Sequence, residues 1–373
     1  MADVTARLTG TIGVALTTLG PGATSAYVGV AHAFLDRAPM LILTAQTDPQ
    51  RIGTHTHQVL DLQACFRPIT KFTAELEAET VPETIQYALS QLTNGRPGPV
   101  HLGLCSRVAA SETHAMTNAG QTPGEIDLVP HTAASKKLLN RSHHPVIVVG
   151  VGLEPERPYA ELQCFAETIH APLIDTPKAK GSLPANHPLF AGTIGLTATD
   201  PAYELLDEAD CIIAVGFDAA ELVKPWSQAA PLIWIAPWKN HDPHLASAHE
   251  YVGAMAPQLG ALTDSLTTQA DSSWGAQRVA DFHAKQVQKA DAPSGHRTHH
   301  SSRPVAHYSR ANFIQYHHHY GCWLTQNFYR AQLACPDTQL LFCFQWTVDY
   351  GLRPACGHRS GKSQPTAGSL HHR

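Results

Sequence analysis

Two glycine-rich turns hold the residue types and spacings best suited to chemistry. The first, Leu19-Gly20-Pro21-Gly22, follows the apolar β-branched run from Val14 to Leu19 and precedes Thr24 and Ser25, either of which can cap a helix. Strand, turn and helix in that order set backbone N–H groups and a helix N-terminus at the carboxyl edge of a parallel sheet, where ligands bind. The second turn, Gly150-Val151-Gly152, follows an apolar run from Pro145 to Val151, and Asp175 stands 25 residues beyond Gly150. That is the skeleton of a dinucleotide site, and it leaves a nicotinamide-binding oxidoreductase open as a function class. Its third glycine is missing, however, and Glu154, Pro155 and Glu156 occupy the turn, where acids oppose a pyrophosphate. A third grouping, His317, His318, His319 and Cys322, offers metal-ligand types without the paired spacing of a structural zinc site, so no metal site is assigned. Cys105 has no base beside it in the sequence to make it a nucleophile.

These turns need rigid elements behind them. Tyr27, Val30, Ala31 and Phe34 recur at helical spacing, Pro39 ends that segment, and Met40 to Thr44 is the next strand, which completes a right-handed βαβ crossover. Thr80 to Thr93 has a helical pattern with Thr80 and Glu83 spaced as a capping box, and Pro99 to Leu104 is a further strand. Beyond a polar stretch, strands at 145–151, 171–174, 211–215 and 231–235 alternate with helical segments such as 159–170. The expected architecture is α/β. Two doubly wound parallel-sheet domains, residues 1–112 and 143–268, are joined by a linker at 113–142. A poorly structured, His-rich tail at 269–373 follows, with no compact core expected from 295 onward.

Composition narrows the classes. Hydrophobic residues make up 43% of the chain, enough for sizeable cores, whereas charged residues are only 15% and the formal net charge is −5. Nothing here offers the basic surface of a nucleic-acid binder. No apolar run approaches the roughly 18 residues of a membrane helix. Eight cysteines without a Cys-x-x-Cys are read as reduced thiols of a cytoplasmic protein.

Several linked motifs carry a family resemblance. Met1-Ala2-Asp3 with Ala6 to Gly10, Leu19 to Thr24, Asp36 to Pro39, Thr54 to Asp61, Pro68 to Lys71 and Gly95 to Val100 occur in the order found in thiamine-diphosphate enzymes. Over residues 1–268 the chain resembles these enzymes, and among them the acetolactate synthases. His57-Gln58-x-x-Asp61 and Gly216-Phe217-Asp218-x-x-Glu221 are similar to the catabolic branch.

The resemblance implies decarboxylation of a 2-keto acid, pyruvate, and addition of the product to a second keto acid. Glyoxylate carboligation, simple decarboxylation or a non-catalytic remnant are its alternatives. It also implies thiamine diphosphate held with Mg2+, lined on the thiazolium side by Leu19, Gly20, Pro21, Gly22 and Ser25, with His57 and Gln58 approaching cofactor and substrate. An FAD cleft would be lined by Arg96, Gly150, Gly152, Thr176, Lys178, Gly181, Gly216 and Asp218, although Phe217-Asp218-Ala219-Ala220-Glu221 departs from the Arg-Phe-Asp-Asp-Arg run of flavin-binding members. The family glutamate that acts on the cofactor's pyrimidine is expected just before Met1, and the Gly-Asp-Gly of the diphosphate-binding domain does not occur after residue 270. The isolated chain is therefore expected to be inactive. Because family members place the cofactor between subunits, a homo-oligomer is implied, with exposed apolar surface on residues 19–36 and 54–66.

Overall fold

Short, mainly apolar runs form the strands that carry both candidate sites. The computed structural model describes residues 1–51, 54, 57–112, 133–266 and 273–291. The expected tail from 295 onward, with His317 to His319 and Cys322, lies outside the described residues.

The first sheet has four parallel strands, β1 (Gly13–Thr17), β2 (Met40–Gln46), β3 (Phe72–Glu75) and β4 (Val100–Cys105), in the order β1-β2-β4-β3. Alternation along β2 sorts its side chains between two layers. Met40 and Ile42 join Val30, Ala33 and Phe66 on one face, and Leu41 joins Ala88, Leu92 and Leu102 on the other. Val14 and Leu16 on the edge strand β1 stay exposed, as do Val28, Leu35 and Leu60 within the two ranges expected to show apolar surface.

The second sheet has six parallel strands: β5 (Pro145–Val149), β6 (Leu173–Asp175), β7 (Phe190–Thr193), β8 (Cys211–Val215), β9 (Leu232–Ala236) and β10 (His249–Val252). Their order is β10-β9-β8-β5-β6-β7. The chain runs outward from β5 in one direction and from β8 in the other, so the strand order reverses between β5 and β8. The inner strands β5, β6, β8 and β9 are buried along their whole length, whereas the edge strand β10 buries only Tyr251. Ile147, Val149, Ile213 and Val215 face one core, and Val146, Val148, Ile212 and Ala214 face the other. Both sheets are thus α/β with parallel strands, as the alternating pattern implied.

Two boundaries differ from expectation. The helix Ala133–Arg141 lies inside the span expected to be a linker. Its Leu139 enters the central core, and its Ser135 hydroxyl pairs with the Tyr251 hydroxyl on β10. The helix Ala276–Asp291 lies inside the expected tail, yet Val279 and Phe282 are buried against the second sheet. Ahead of that helix, the Trp274 indole donates to the Pro145 carbonyl at 2.9 Å and stacks on His144 with ring centroids 4.4 Å apart. Polar composition hid the first of these helices, because it turns only a narrow apolar stripe inward. Among the described residues, no helix is long and apolar enough to cross a membrane.

Trp274→Ala should lower the stability of the central domain by about 3–5 kcal/mol, the usual loss for an aromatic removed from a core. Urea denaturation followed by far-UV circular dichroism measures it, and a loss below about 1 kcal/mol would show that residues 273–291 are not part of that domain.

Candidate functional site

The turn after β1 is set by Gly20. Its backbone takes φ 59° and ψ −122°, a region open essentially to glycine, and it serves as N-cap of the helix Pro21–Ser25, with Pro21 at the helix start. Thr24 and Ser25, expected to cap the helix, lie inside it instead. Their hydroxyls donate back to the Pro21 carbonyl at 3.1 and 2.7 Å. The helix starts earlier because proline tolerates the first turn and glycine supplies the cap.

The loop after β2 meets this turn at the same carboxyl edge. A Cβ on Gly20 would stand 2.8 Å from the Gln58 Cβ and 3.1 Å from its carbonyl oxygen, so glycine is what lets the two loops touch. Gln58 is itself held at φ 61°. Pro21, Ser25, His57 and Gln58 are exposed, Leu19 and Gly22 are half-buried, and Gly20 is buried. The residues expected to line the thiazolium side therefore form one open wall with Gln58 beside it, and they fit one flank of a ligand there. Below that wall, Gln46 at the end of β2 and Gln63 donate to the Glu75 carboxylate at 3.2 and 3.1 Å. Among the described residues no cation lies within ion-pair distance of Glu75. His101 in β4 is a core residue: Thr44 and Thr73 hydroxyls engage its two ring nitrogens, it stacks on Phe66, and burial pushes its imidazole down to about 4.

The second set of expected residues has a different use. Asp36 ends the helix Tyr27–Leu35, and Arg37, at φ 57°, turns the chain into β2. Both therefore lie at the amino edge of the first sheet, as does Arg96 in the turn before β4. They meet the carboxyl edge of the second sheet. The Arg37 guanidinium donates to Asp218 at 2.6 and 3.3 Å, Arg96 lies 3.6 Å from the same carboxylate, and Lys178 pairs with Asp36. Burial by itself would raise the Asp218 carboxyl, but the hydrogen bond and charge of Arg37, the Ala220 N–H and the Arg96 charge outweigh it and hold the group below its ordinary value. Arg96, Lys178 and Asp218, expected in a flavin cleft, are engaged in pairs that join the domains.

Gly150, Gly152, Thr176 and Gly216 do converge, at the ends of β5, β6 and β8. The Gly152 N–H donates to the Gly216 carbonyl at 2.7 Å, and a Cβ on Gly152 would lie 2.7 Å from the Trp238 ring. Between them sits Glu221, which takes the Val151 N–H at 2.8 Å and the Thr176 hydroxyl at 2.6 Å. Gly181 stands apart, exposed in a left-handed turn at φ 88°. These residues do not fit a dinucleotide. Glu156 is engaged elsewhere, capping the helix Met255–Ser265 by accepting the Met255 and Ala256 N–H groups at 2.8 and 2.7 Å, and Glu154 lies 3.6 Å from the Arg157 guanidinium.

One grouping among the described residues has metal-ligand types within reach of one another, Asp3, His32 and Asp36. Arg7 lies 3.0 Å from Asp3 and 3.4 Å from Asp36, and Lys178 also pairs with Asp36, so internal cations already balance the two carboxylates.

Comparison with known proteins agrees with this architecture. Residues 132–257 match the central domain of thiamine pyrophosphate enzymes, and residues 1–65 match their N-terminal TPP binding domain, together about half of the chain. The chain belongs to the thiamine pyrophosphate enzyme family. It is 36% identical over 226 residues to a "Probable acetolactate synthase large subunit" of Methanocaldococcus jannaschii, a match covering 58% of this chain and 38% of the relative. It is 32% identical over 227 residues to the acetolactate synthase large subunit of Lactococcus lactis, with 58% and 38% covered. A "Probable 2-ketoarginine decarboxylase" of Pseudomonas aeruginosa is 31% identical over 307 residues, 79% of this chain and 54% of the relative. The chain thus spans well under two thirds of the length of these relatives.

Within this family member, Asp36, Arg37 and Glu221 are read from the sequence only as parts of motifs, without a role of their own. The three-residue spacing from Asp218 to Glu221 was the available signal, since a short turn between two acids presents both toward one strand end.

Two outcomes follow from these geometries. Arg37→Ala should cost about 3 kcal/mol or more in urea denaturation because it strands the buried Asp218 charge, and adding Asp218→Asn should recover part of that loss. An additive or larger loss in the double variant would dismiss the ion pair. Burial raises Glu221 to about 7 against the Thr176 and Val151 hydrogen bonds and the Lys178 charge, with the Asp218 charge adding to the rise. The folded chain therefore keeps this proton where the unfolded chain has lost it. Its contribution to stability is complete below the ordinary carboxyl range and falls as pH rises toward 7, by about 3 kcal/mol in all. Glu221→Gln should flatten that part of the stability–pH curve, and an unchanged slope would contradict the assignment.

Proposed function

We propose that the chain serves a thiamine-diphosphate-dependent enzyme that decarboxylates pyruvate and adds the resulting two-carbon unit to a second 2-keto acid, an acetolactate-type reaction. The meeting of two loops on one sheet edge, Gly20 against Gln58, carries this reading, because it occurs in a chain of this family at the edge where parallel sheets bind ligands. When bound, the cofactor with its Mg2+ supplies the carbanion-stabilising chemistry that a keto acid's decarboxylation requires. The chain's own part is positional. Gly20 removes the side chain that would hold the loops apart, Pro21 starts the helix behind the turn, and Leu19, Gly22, Ser25, His57 and Gln58 present the adjoining surface. The same reading makes the active form a homo-oligomer, supported by the exposure of Val28, Leu35 and Leu60.

A decarboxylase of a cationic keto acid is the second reading. It is favoured by Glu75, a carboxylate near the β2 and β3 strand ends with amide donors but no cation among the described residues, and by the 2-ketoarginine decarboxylase relative.

Binding of thiamine diphosphate with magnesium, followed by calorimetry, should be saturable in the purified chain and weaken at least about tenfold in Gly20→Ala. Equal affinity in the two proteins would remove the turn from the site. Product analysis on the chain supplied with the family glutamate and a diphosphate-binding domain separates the two readings, since acetolactate from pyruvate supports the first and carbon dioxide release from 2-ketoarginine the second.

A further inference from the structure

The second sheet reverses direction between β5 and β8, and in an open parallel sheet the crevice outside those two carboxyl ends is where a nucleotide lies. Here both lips of the crevice are joined. The turn after β5 donates from the Gly152 N–H to the Gly216 carbonyl after β8, and Trp238 covers Gly152.

The space that remains holds a carboxylate. Glu221 is buried, and a Cβ on Gly150 would collide with its Oε2. That oxygen accepts the Val151 N–H, and Oε1 accepts the Thr176 hydroxyl. A backbone N–H just past a glycine at a strand end, with a hydroxyl from the neighbouring strand end, is the donor set that would hold a phosphate oxygen. Asp218, the other acid of this turn, faces Arg37 and Arg96 from the first domain and is likewise engaged.

We propose that Glu221 is an internal ligand: its carboxyl group fills the phosphate position of the switch-point crevice, so that the central domain is closed by its own side chain and takes no dinucleotide. The three glycines Gly150, Gly152 and Gly216 then serve loop-to-loop packing and not approach to a cofactor. This holds whether or not the first domain binds thiamine diphosphate, because it concerns a different sheet and a different edge.

The test uses the full chain and inorganic phosphate at constant ionic strength. Glu221→Ala empties a carboxylate-sized, donor-lined space, so phosphate should raise its melting temperature and bind at least about tenfold more tightly than to wild type. FAD and ADP should leave the wild-type melting temperature unchanged. Equal phosphate response in the two proteins, including none in either, overturns the proposal, as does stabilisation of wild type by FAD or ADP. Should the alanine variant fail to fold, crystals of wild type soaked in FAD decide the matter. Glu221 retained on Val151 and Thr176 supports the proposal, and a nucleotide in the crevice with Glu221 turned out refutes it.

Discussion

Two buried carboxylates, Asp36 and Asp218, set the constraint on which the rest of this structure depends. Each comes from a different domain, and each is neutralised by a cation from the other: Lys178 on Asp36, Arg37 and Arg96 on Asp218. Burying such groups costs several kcal/mol apiece and is tolerable only where the pairing is close. The exchange is reciprocal, with an acid and a base supplied from each side, so that sliding one domain along the other would bring like charges together. The amino edge of the first sheet is thereby fixed on the carboxyl edge of the second. The carboxyl edge of the first sheet, which bears Gly20 and Gln58, faces away from that joint.

This arrangement divides the two glycine-rich turns by role. Around Gly20 the missing side chain lets two loops meet while their outer residues stay exposed. Around Gly150, Gly152 and Gly216 the missing side chains let two loops press together and shut the space between them. The same residue type at equivalent strand ends gives an open edge in one domain and a closed one in the other. What decides between them is a single acid, three residues beyond Asp218, that reaches the free donors first.

Much of the fold was legible from local pattern. The runs Val146 to Val149 and Ile212 to Val215 are apolar, uninterrupted and bounded by turn residues, which is how a strand buried on both faces reads. The short strands β3, β7 and β10 were not legible. Phe72–Glu75, Phe190–Thr193 and His249–Val252 mix polar and apolar residues and gain their order from one neighbouring strand. Thr80 stands at the N-cap position the pattern indicated, yet its side chain makes no capping bond. At the candidate sites, the sequence located the turns because glycine and proline act locally. It did not report the pairing of Arg96, Lys178 and Asp218, because their partners are far away in the chain, and no local rule reports a contact between positions 37 and 218.

The bond from the Trp274 indole to the Pro145 carbonyl has a consequence for how the molecule is made. It ties the first residue of β5 to a segment that a ribosome adds about 130 residues later, at roughly 5–20 residues per second. During that interval the start of β5, and His144 before it, wait without their final cover, while the first sheet has already been completed by residues up to 105. The nascent chain therefore acquires its two domains in sequence, the second remaining unsealed for several seconds. The charged joint between them can form only against a first domain that is already in place.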